Sequence, residues 1–410
     1  MLEPAADWQP APRAMADALT ERLRAEPGAR LRDRTATVLF DAGDEGAWTV
    51  QLHRGRPLRW ERGAVGTPTT TIRGDLGTLT GLVDGSVSGA HAFTAGHVAL
   101  RGDMGLALAL DGAFLSGTRA AGSPRATIVE PRVDGALLRT ATLVSGPPDA
   151  PHVVLLHGLG ATASSLMPLV LDLARDHRVW APDLPGHGDT AKPSTVYDAA
   201  FLARWLSAFL DVIDARNPVL GGNSLGGRLT LEAAMREPGR HAGLLLLCPA
   251  AAFRRIRQAV PLVRVLRPGL ARAPIPAPPH RLVVEGIRAM FSKPDRLPQT
   301  WYDAGADEFT RVWHQAGARH AFFSALRSIY LDPAFGGRGF WDRLPSLTVP
   351  ALFLWGDRDR LVPAGFARHV REALPAASSQ VLEDCGHVPQ LELPLLTSSL
   401  VRGFLADVVY

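Results

Sequence analysis

Five residues, Gly222-Asn223-Ser224-Leu225-Gly226, limit what this chain can fold into more than any other stretch. Val219-Leu220-Gly221 ahead of them is short and apolar, as a buried strand is, and residues 225–236 read as a helix. A chain that leaves a strand and enters a helix at one serine has to turn sharply there. Gly222 and Gly226 stand two residues either side of it, where the two backbones come close enough for a side chain to clash. The turn lifts the Ser224 hydroxyl clear of the packed sheet. It also puts the Leu225 amide, at the helix N-terminus, where an oxyanion would form. With 40 glycines among 410 residues the same spacing arises by chance, so the partners of the serine decide whether the pattern means chemistry.

A serine is a poor nucleophile until a base takes its proton and a third group orients that base. Asp357 and Asp359 follow the apolar run 350–356, and His387 follows the run 379–383. Open α/β sheets collect ligand chemistry just beyond the C-terminal ends of their strands, and all these candidates lie there. Helical stretches at 163–175, 198–214, 225–236, 364–374 and 392–408 alternate with apolar runs at 178–181, 217–221, 243–248, 350–356 and 379–383. Uniformly apolar strands between helices predict an α/β fold with a mostly parallel sheet covered on both faces. The alternation breaks at about 250–348. That segment holds a proline-rich run at 273–279, the basic positions Arg254, Arg255 and Arg257, and helical stretches near 281–291 and 306–329. It reads as a helical lid inserted between two core strands, because a long structureless loop inside a compact domain is improbable. The arginines read as a solvated face, with a carboxylate or membrane-surface role as the lesser alternative.

Five motifs in order then carry a resemblance: His157-Gly158-Leu159-Gly160, Asp183-Leu184-Pro185-Gly186-His187-Gly188, the serine turn, Gly356-Asp357-Arg358-Asp359 and Gly386-His387. With them, residues 126–410 resemble the α/β-hydrolase superfamily, whose triad runs in the order serine, acid, histidine. The resemblance implies Ser224 as nucleophile and His387 as base. It implies Asp359 as acid, three residues after Gly356, in preference to Asp357. It also implies an oxyanion hole from the amides of Leu159 and Leu225, and no metal or organic cofactor. Some relatives carry the acid after the sixth strand, but Pro249-Ala250-Ala251 offers none there. His157 and His187 read as loop residues bonded to backbone, His152 and His177 as surface or strand-end residues, and Asp183 as a brace for its turn.

The first 115 residues form a separate unit. A helix is expected at 13–25, strands at 35–41, 47–53, 69–73 and 97–101, and helices at 76–83, 90–93 and 103–110. Thr70-Thr71-Ile72-Arg73-Gly74-Asp75-Leu76, Leu82-Val83-Asp84-Gly85 and the run from Ala92-Phe93-Thr94 through Gly96-His97-Val98 to Gly102-Asp103 resemble the sterol carrier protein 2 (SCP2) domain over about residues 12–115. This implies a small α+β fold with an apolar tunnel for lipids or acyl chains, or else a packing module with a filled core. Residues 116–125 are small and polar and read as a linker, followed by paired strands at 126–131 and 136–143.

Composition narrows the rest. At 46% hydrophobic and 20% charged residues, the chain can bury sizeable cores. Its +4 net charge is carried by arginine, since Lys192 and Lys293 are its only lysines. Without a basic block interleaved with aromatics, no nucleic-acid partner is expected. Cys248 and Cys385 make neither a disulfide framework nor a metal-spaced pair. Cys248 reads as a core thiol and Cys385, beside His387, as a possible lining residue. With no secretory signal and no membrane span in view, a cytoplasmic location is expected, with transient membrane contact left open. The leading reading is a serine esterase for a small hydrophobic ester or acyl substrate that the N-terminal domain binds or delivers. The rivals are a C–C bond hydrolase of ring-cleavage products and a non-catalytic lipid carrier or sensor. Against the C–C reading, Val388 follows the histidine where those enzymes usually carry an aromatic.

Overall fold

A computed structural model describes residues 17, 31, 34–114, 123–250, 276–337 and 339–408. All but residue 17 of the helix expected at 13–25, most of the linker at 116–125, Arg254, Arg255 and Arg257, and part of the proline-rich run fall outside the described residues.

The N-terminal domain is built on a five-stranded sheet of order β3-β2-β1-β4-β5. The strands are β1 (Ala36–Asp41), β2 (Ala47–His53), β3 (Arg56–Arg62), β4 (Thr70–Arg73) and β5 (Ala99–Gly102). All neighbours run antiparallel except β1 and β4. Burial alternates along β1, so Val38 and Phe40 enter a core shared with the helices α1 (Leu76–Asp84) and α3 (Met104–Phe114). A short helix α2 (Gly89–Thr94) lies between them in sequence. Asp75 caps α1 through the Thr78 amide at 2.8 Å, and Gly85 closes it in the left-handed region at φ 74°. Strand β3 was not expected. Its sequence, RPLRWER, is dense in charge because it is a sheet edge, where charges block pairing with another chain.

The larger domain carries an eight-stranded sheet of order β15-β14-β13-β12-β10-β11-β9-β6. Strands β6 (Arg125–Val129) and β9 (Thr140–Ser145) are the antiparallel end. The rest run parallel: β10 (His152–Leu156), β11 (Arg178–Pro182), β12 (Val219–Asn223), β13 (Gly243–Leu247), β14 (Ala351–Gly356) and β15 (Ser378–Leu382). A small hairpin, β7 (Arg132–Val133) and β8 (Ala136–Leu137), interrupts the run between β6 and β9, turning at Asp134 and Gly135, both with positive φ.

Period-two geometry explains why the parallel strands are apolar throughout. Val154 and Leu156 of β10, Leu244 and Leu246 of β13, and Phe353 and Trp355 of β14 enter the core beneath α5 (Ala199–Val212) and α6 (Leu225–Arg236). Their sequence neighbours Val153, Leu155, Leu245, Leu247, Leu352 and Leu354 enter the opposite core beneath α4 (Met167–Leu173) and α13 (Pro394–Ala406). The helix expected at 364–374 forms as α11 (Phe366–Ala373), and two other expected helices are interrupted. The helix expected from residue 392 starts instead at Pro394 as α13, and Glu392 ends the separate short helix α12 (Pro389–Glu392), because Pro394 can start a helix but not continue one. The 306–329 stretch splits into α8 (Gln299–Trp313) and α9 (Ala318–Leu331) at Gly317, whose φ is 82°.

The described lid comprises α7 (His280–Arg288), α8, α9 and α10 (Phe340–Arg343). Helix α8 shows two stripes at helical spacing. Ala304, Asp307 and Arg311 face the N-terminal domain: Ala304 joins its core, Asp307 pairs with Arg101 at 2.7 Å, and Arg311 lies 3.5 Å from Asp103. Arg34 and Arg311 also share Asp189 of the larger domain, at 2.6 and 2.9 Å. The two domains are therefore packed together through a common apolar cluster and several ion pairs, beyond the tether the sequence led us to expect. No helix among the described residues is long and apolar enough to cross a membrane.

Candidate active site

Strand β12 ends at Asn223 and α6 begins at Leu225, so Ser224 is the whole turn. Its backbone sits at φ 55°, ψ −112°, a region that costs a non-glycine residue of order 1–3 kcal/mol. A Cβ on Gly222 would stand 2.4 Å from the backbone carbon of Gly226, and one on Gly226 would stand 2.0 Å from the Leu156 oxygen. Both glycines are thus required by close approach of strand, helix and the neighbouring β10. Asn223 ties the turn down, its Nδ2 donating to the backbone oxygens of Leu247 and His387 at 3.0 and 2.9 Å.

His387 lies in the loop after β15. Its Nδ1 is 2.7 Å from Asp359 Oδ2, and both side chains are almost fully buried. The other carboxylate oxygen of Asp359 accepts the amides of Leu361 and Val362, each at 2.8 Å. These bonds aim the carboxylate at the ring, so that Nδ1 faces the acid and Nε2 is the ring nitrogen left outside that pair. Asp357 does different work, accepting the Cys385 amide at 3.1 Å and so joining the acid loop to the histidine loop.

Ser224 and His387 line one cavity of about 540 Å³, together with Leu159. That volume falls within the roughly 300–1,000 Å³ of small-molecule sites. Its walls are mainly apolar, with Trp301, Phe309 and Phe322 from the lid. Trp301, Gly305 and Phe309 make up the second stripe of α8. Among the described residues the Ser224 hydroxyl has no hydrogen-bond partner.

The other sequence candidates brace loops. His157 accepts the Leu184 amide on Nε2 at 2.9 Å and contacts the Gly158 oxygen through Nδ1 at 2.8 Å, which defines a neutral ring protonated at Nδ1. Burial pushes its pKa down to about 4. His187, likewise buried and with its Nδ1 3.1 Å from the Pro185 oxygen, is pushed down to about 3. Asp183 accepts the amides of Ala163 and Asp189. Cys385 is fully buried and does not line the cavity, and burial raises its thiol to about 12.

Two residues gained a place that the sequence did not signal. Cys248, at the end of β13, brings its sulfur within 4.8 Å of ligand atoms of Asp359 and His387. Burial, then the charge of Asp359, hold it well above its ordinary range, so it stays a thiol beside an acid and imidazole already paired with each other. Glu392 is buried on α12. It accepts the amides of Gly386 and Ser292 on one oxygen at 2.7 and 3.1 Å, and Lys293 on the other at 2.7 Å. It thereby clamps the histidine loop to the lid, as does the His387 amide on the Met290 oxygen at 2.7 Å. Glu392 stood in the quoted sequence around His387, but its lid partners Ser292 and Lys293 are 100 and 99 residues away.

A serine at a strained strand–helix turn, with an acid-paired histidine in one cavity on a mostly parallel sheet, defines a class. Residues 153–397 match the model of the alpha/beta hydrolase family, and the chain belongs to that family. Residues 17–115 match the SCP-2 sterol transfer family. The chain is 30% identical over 274 residues to the dihydrolipoyllysine-residue acetyltransferase component of the acetoin cleaving system of Pseudomonas putida, covering 67% of this chain and 68% of the relative. It is 27% identical over 269 residues to 2-hydroxymuconate semialdehyde hydrolase of Pseudomonas sp. (strain CF600), covering 62% of this chain and 87% of that one. Among solved structures, a membrane phospholipase A described as a bacterial virulence factor is similar with a TM-score of 0.58 at 28% identity, over 70% of this chain and 87% of its own.

Proposed function

We propose that this protein is a serine hydrolase that cleaves esters of apolar acyl chains. The observation that carries the reading is the buried 2.7 Å pair of His387 and Asp359 opening into the same apolar cavity as the strained Ser224. Ser224 Oγ attacks the ester carbonyl carbon while His387 Nε2 takes the hydroxyl proton. The amides of Leu159 and Leu225 receive the oxyanion. The imidazolium, stabilised by Asp359, returns the proton to the departing alcohol. Water then attacks the acyl-enzyme with His387 again as base, releasing the acid and restoring Ser224. The similarity to a phospholipase A supports an ester substrate with an acyl chain. Both cysteines are free thiols, which fits the cytoplasmic placement expected from sequence.

The similarity to 2-hydroxymuconate semialdehyde hydrolase keeps the C–C reading in view. A ring-cleavage product carries a carboxylate, and no arginine or lysine is among the described residues that line the cavity. An uncharged acyl ester suits that wall better. Turnover of p-nitrophenyl esters of graded acyl length tests the reading. Ser224→Ala should retain the fold and lose several orders of magnitude in kcat, leaving at most the roughly 10³–10⁴-fold catalysis of binding and oxyanion contacts. Equal turnover by wild type and Ser224→Ala would overturn it.

A further inference from the structure

The N-terminal domain contains its own apolar cavity, between its sheet and α3, with Phe40, Ile72, Leu82 and Leu100 in the wall. At about 40 Å³ it is too small for an acyl chain. The catalytic cavity is about 540 Å³, and the two have three wall residues in common: Phe93 and Met104 of the N-terminal domain and Ser164 of the hydrolase domain. The Phe93 ring stacks on Trp301 of α8 with centroids 4.8 Å apart and planes 14° apart. Trp301 in turn lines the catalytic cavity with Ser224. A run of apolar wall therefore leads from the serine along α8 to Phe93 and Met104, and those side chains and Ser164 border the second cavity as well. The ion pairs Arg101–Asp307 and Arg311–Asp103 fix the domain boundary at this place.

We infer that Phe93 and Met104 form a partition at the far end of the acyl site, so that the N-terminal domain sets the length of acyl chain the hydrolase accepts. The ligand is a single linear acyl chain with its ester carbonyl at Ser224 and its methyl end against the partition. This deepens the ester-hydrolase reading and rests on it. The N-terminal domain acts here as a wall of the catalytic cavity, not as a carrier that hands over a separately bound lipid.

The test uses full-length protein and two series of reagents, p-nitrophenyl esters and alkyl fluorophosphonates from butyl to hexadecyl. Phe93 is only half-buried, so Phe93→Ala should fold, and it joins the two cavities. The ratio of hexadecyl to butyl kcat/KM should rise at least tenfold, with the same shift in fluorophosphonate labelling rates. Adding Ala107→Leu, which fills the N-terminal cavity from α3, should return the ratio toward wild type. Met104→Val is the milder variant and should move the ratio in the same direction as Phe93→Ala. Labelling at every chain length with an unchanged ratio in both Phe93→Ala and Met104→Val would overturn the partition while leaving the serine hydrolase standing. Absence of labelling by any fluorophosphonate in the wild type would overturn the reading beneath it.

Discussion

Around the histidine, three carboxylates have different duties. Asp359 meets the ring, Asp357 meets the Cys385 amide, and Glu392 meets three backbone amides from two loops. Glu392 touches no reacting atom, yet it holds Gly386, and so the backbone that carries His387. Glu392→Gln keeps an acceptor but loses the charge that answers several donors at once. A misplacement of about 1 Å costs roughly 10²-fold in rate, so kcat should fall by about that factor with KM changed little, as read in steady-state ester kinetics. An unaltered kcat would mean the loop is held without it. Asp359 could be expected from sequence because the Gly-x-x-Asp spacing is local. Glu392 could not, because its function is defined by the Ser292 and Lys293 amides, and only folding brings the lid to them.

Helix α6 shows the same division one level up. Its start was legible, since Ser224 and two glycines define it. Its far side was not. Arg228, Glu232 and Arg236 recur every four residues along it, and Arg228 and Glu232 are buried. Glu232 binds Arg228 at 2.8 Å and Arg343 of α10 at 2.7 Å, while Arg228 also meets Asp332 and lies 3.9 Å over the Phe340 ring. This network ties the nucleophile helix to the end of the lid. Removing one partner from a buried pair typically costs about 3–5 kcal/mol. Glu232→Gln should therefore lower stability by about that amount in urea unfolding. A loss below about 1 kcal/mol, the range of exposed pairs, would show that the arginines are solvated. The splitting of the α8–α9 and α12–α13 stretches was written at Gly317 and Pro394. Periodicity carried across them because both halves bury the same kind of face.

At the scale of the molecule, burial of neutral histidines makes stability depend on acid. His157 and His241 are pushed down to about 4 and His187 to about 3, each mainly by burial. A lowered folded-state pKa means stability that is complete above the unfolded value of about 6.5 and is lost as pH falls toward 4. For His157 the shift corresponds to about 3 kcal/mol. Asp111 acts in the opposite sense, since burial raises its carboxyl to about 6 and protonation between there and the unfolded value relieves it. These three histidines, with His91 and His152 also lowered by burial, outweigh Asp111 and Glu308, whose carboxyls burial raises, so the urea midpoint should drop between pH 7 and pH 5. A midpoint that holds or rises would contradict the buried, neutral assignment. The two-domain order and the sheet class were readable because strand periodicity and turn residues are local. The docking of the domains was not, because it depends on one face of α8, whose Ala304, Asp307 and Arg311 look like any solvent-facing stripe until Arg101 and Asp103 are set against them.

The central claim is that Ser224 is activated by a histidine that Asp359 orients. The most direct measurement is the rate at which a fluorophosphonate labels the protein, with the adduct mapped by peptide mass, for the wild type, Asp359→Asn and Asp357→Asn. The adduct should map to Ser224. Asp359→Asn should slow labelling by about 10⁴-fold through the wrong imidazole tautomer, while Asp357→Asn, which touches the Cys385 amide and the exposed Arg358 and not the ring, should slow it less than tenfold. An adduct on another residue, or the two aspartates reversed in effect, would contradict the account.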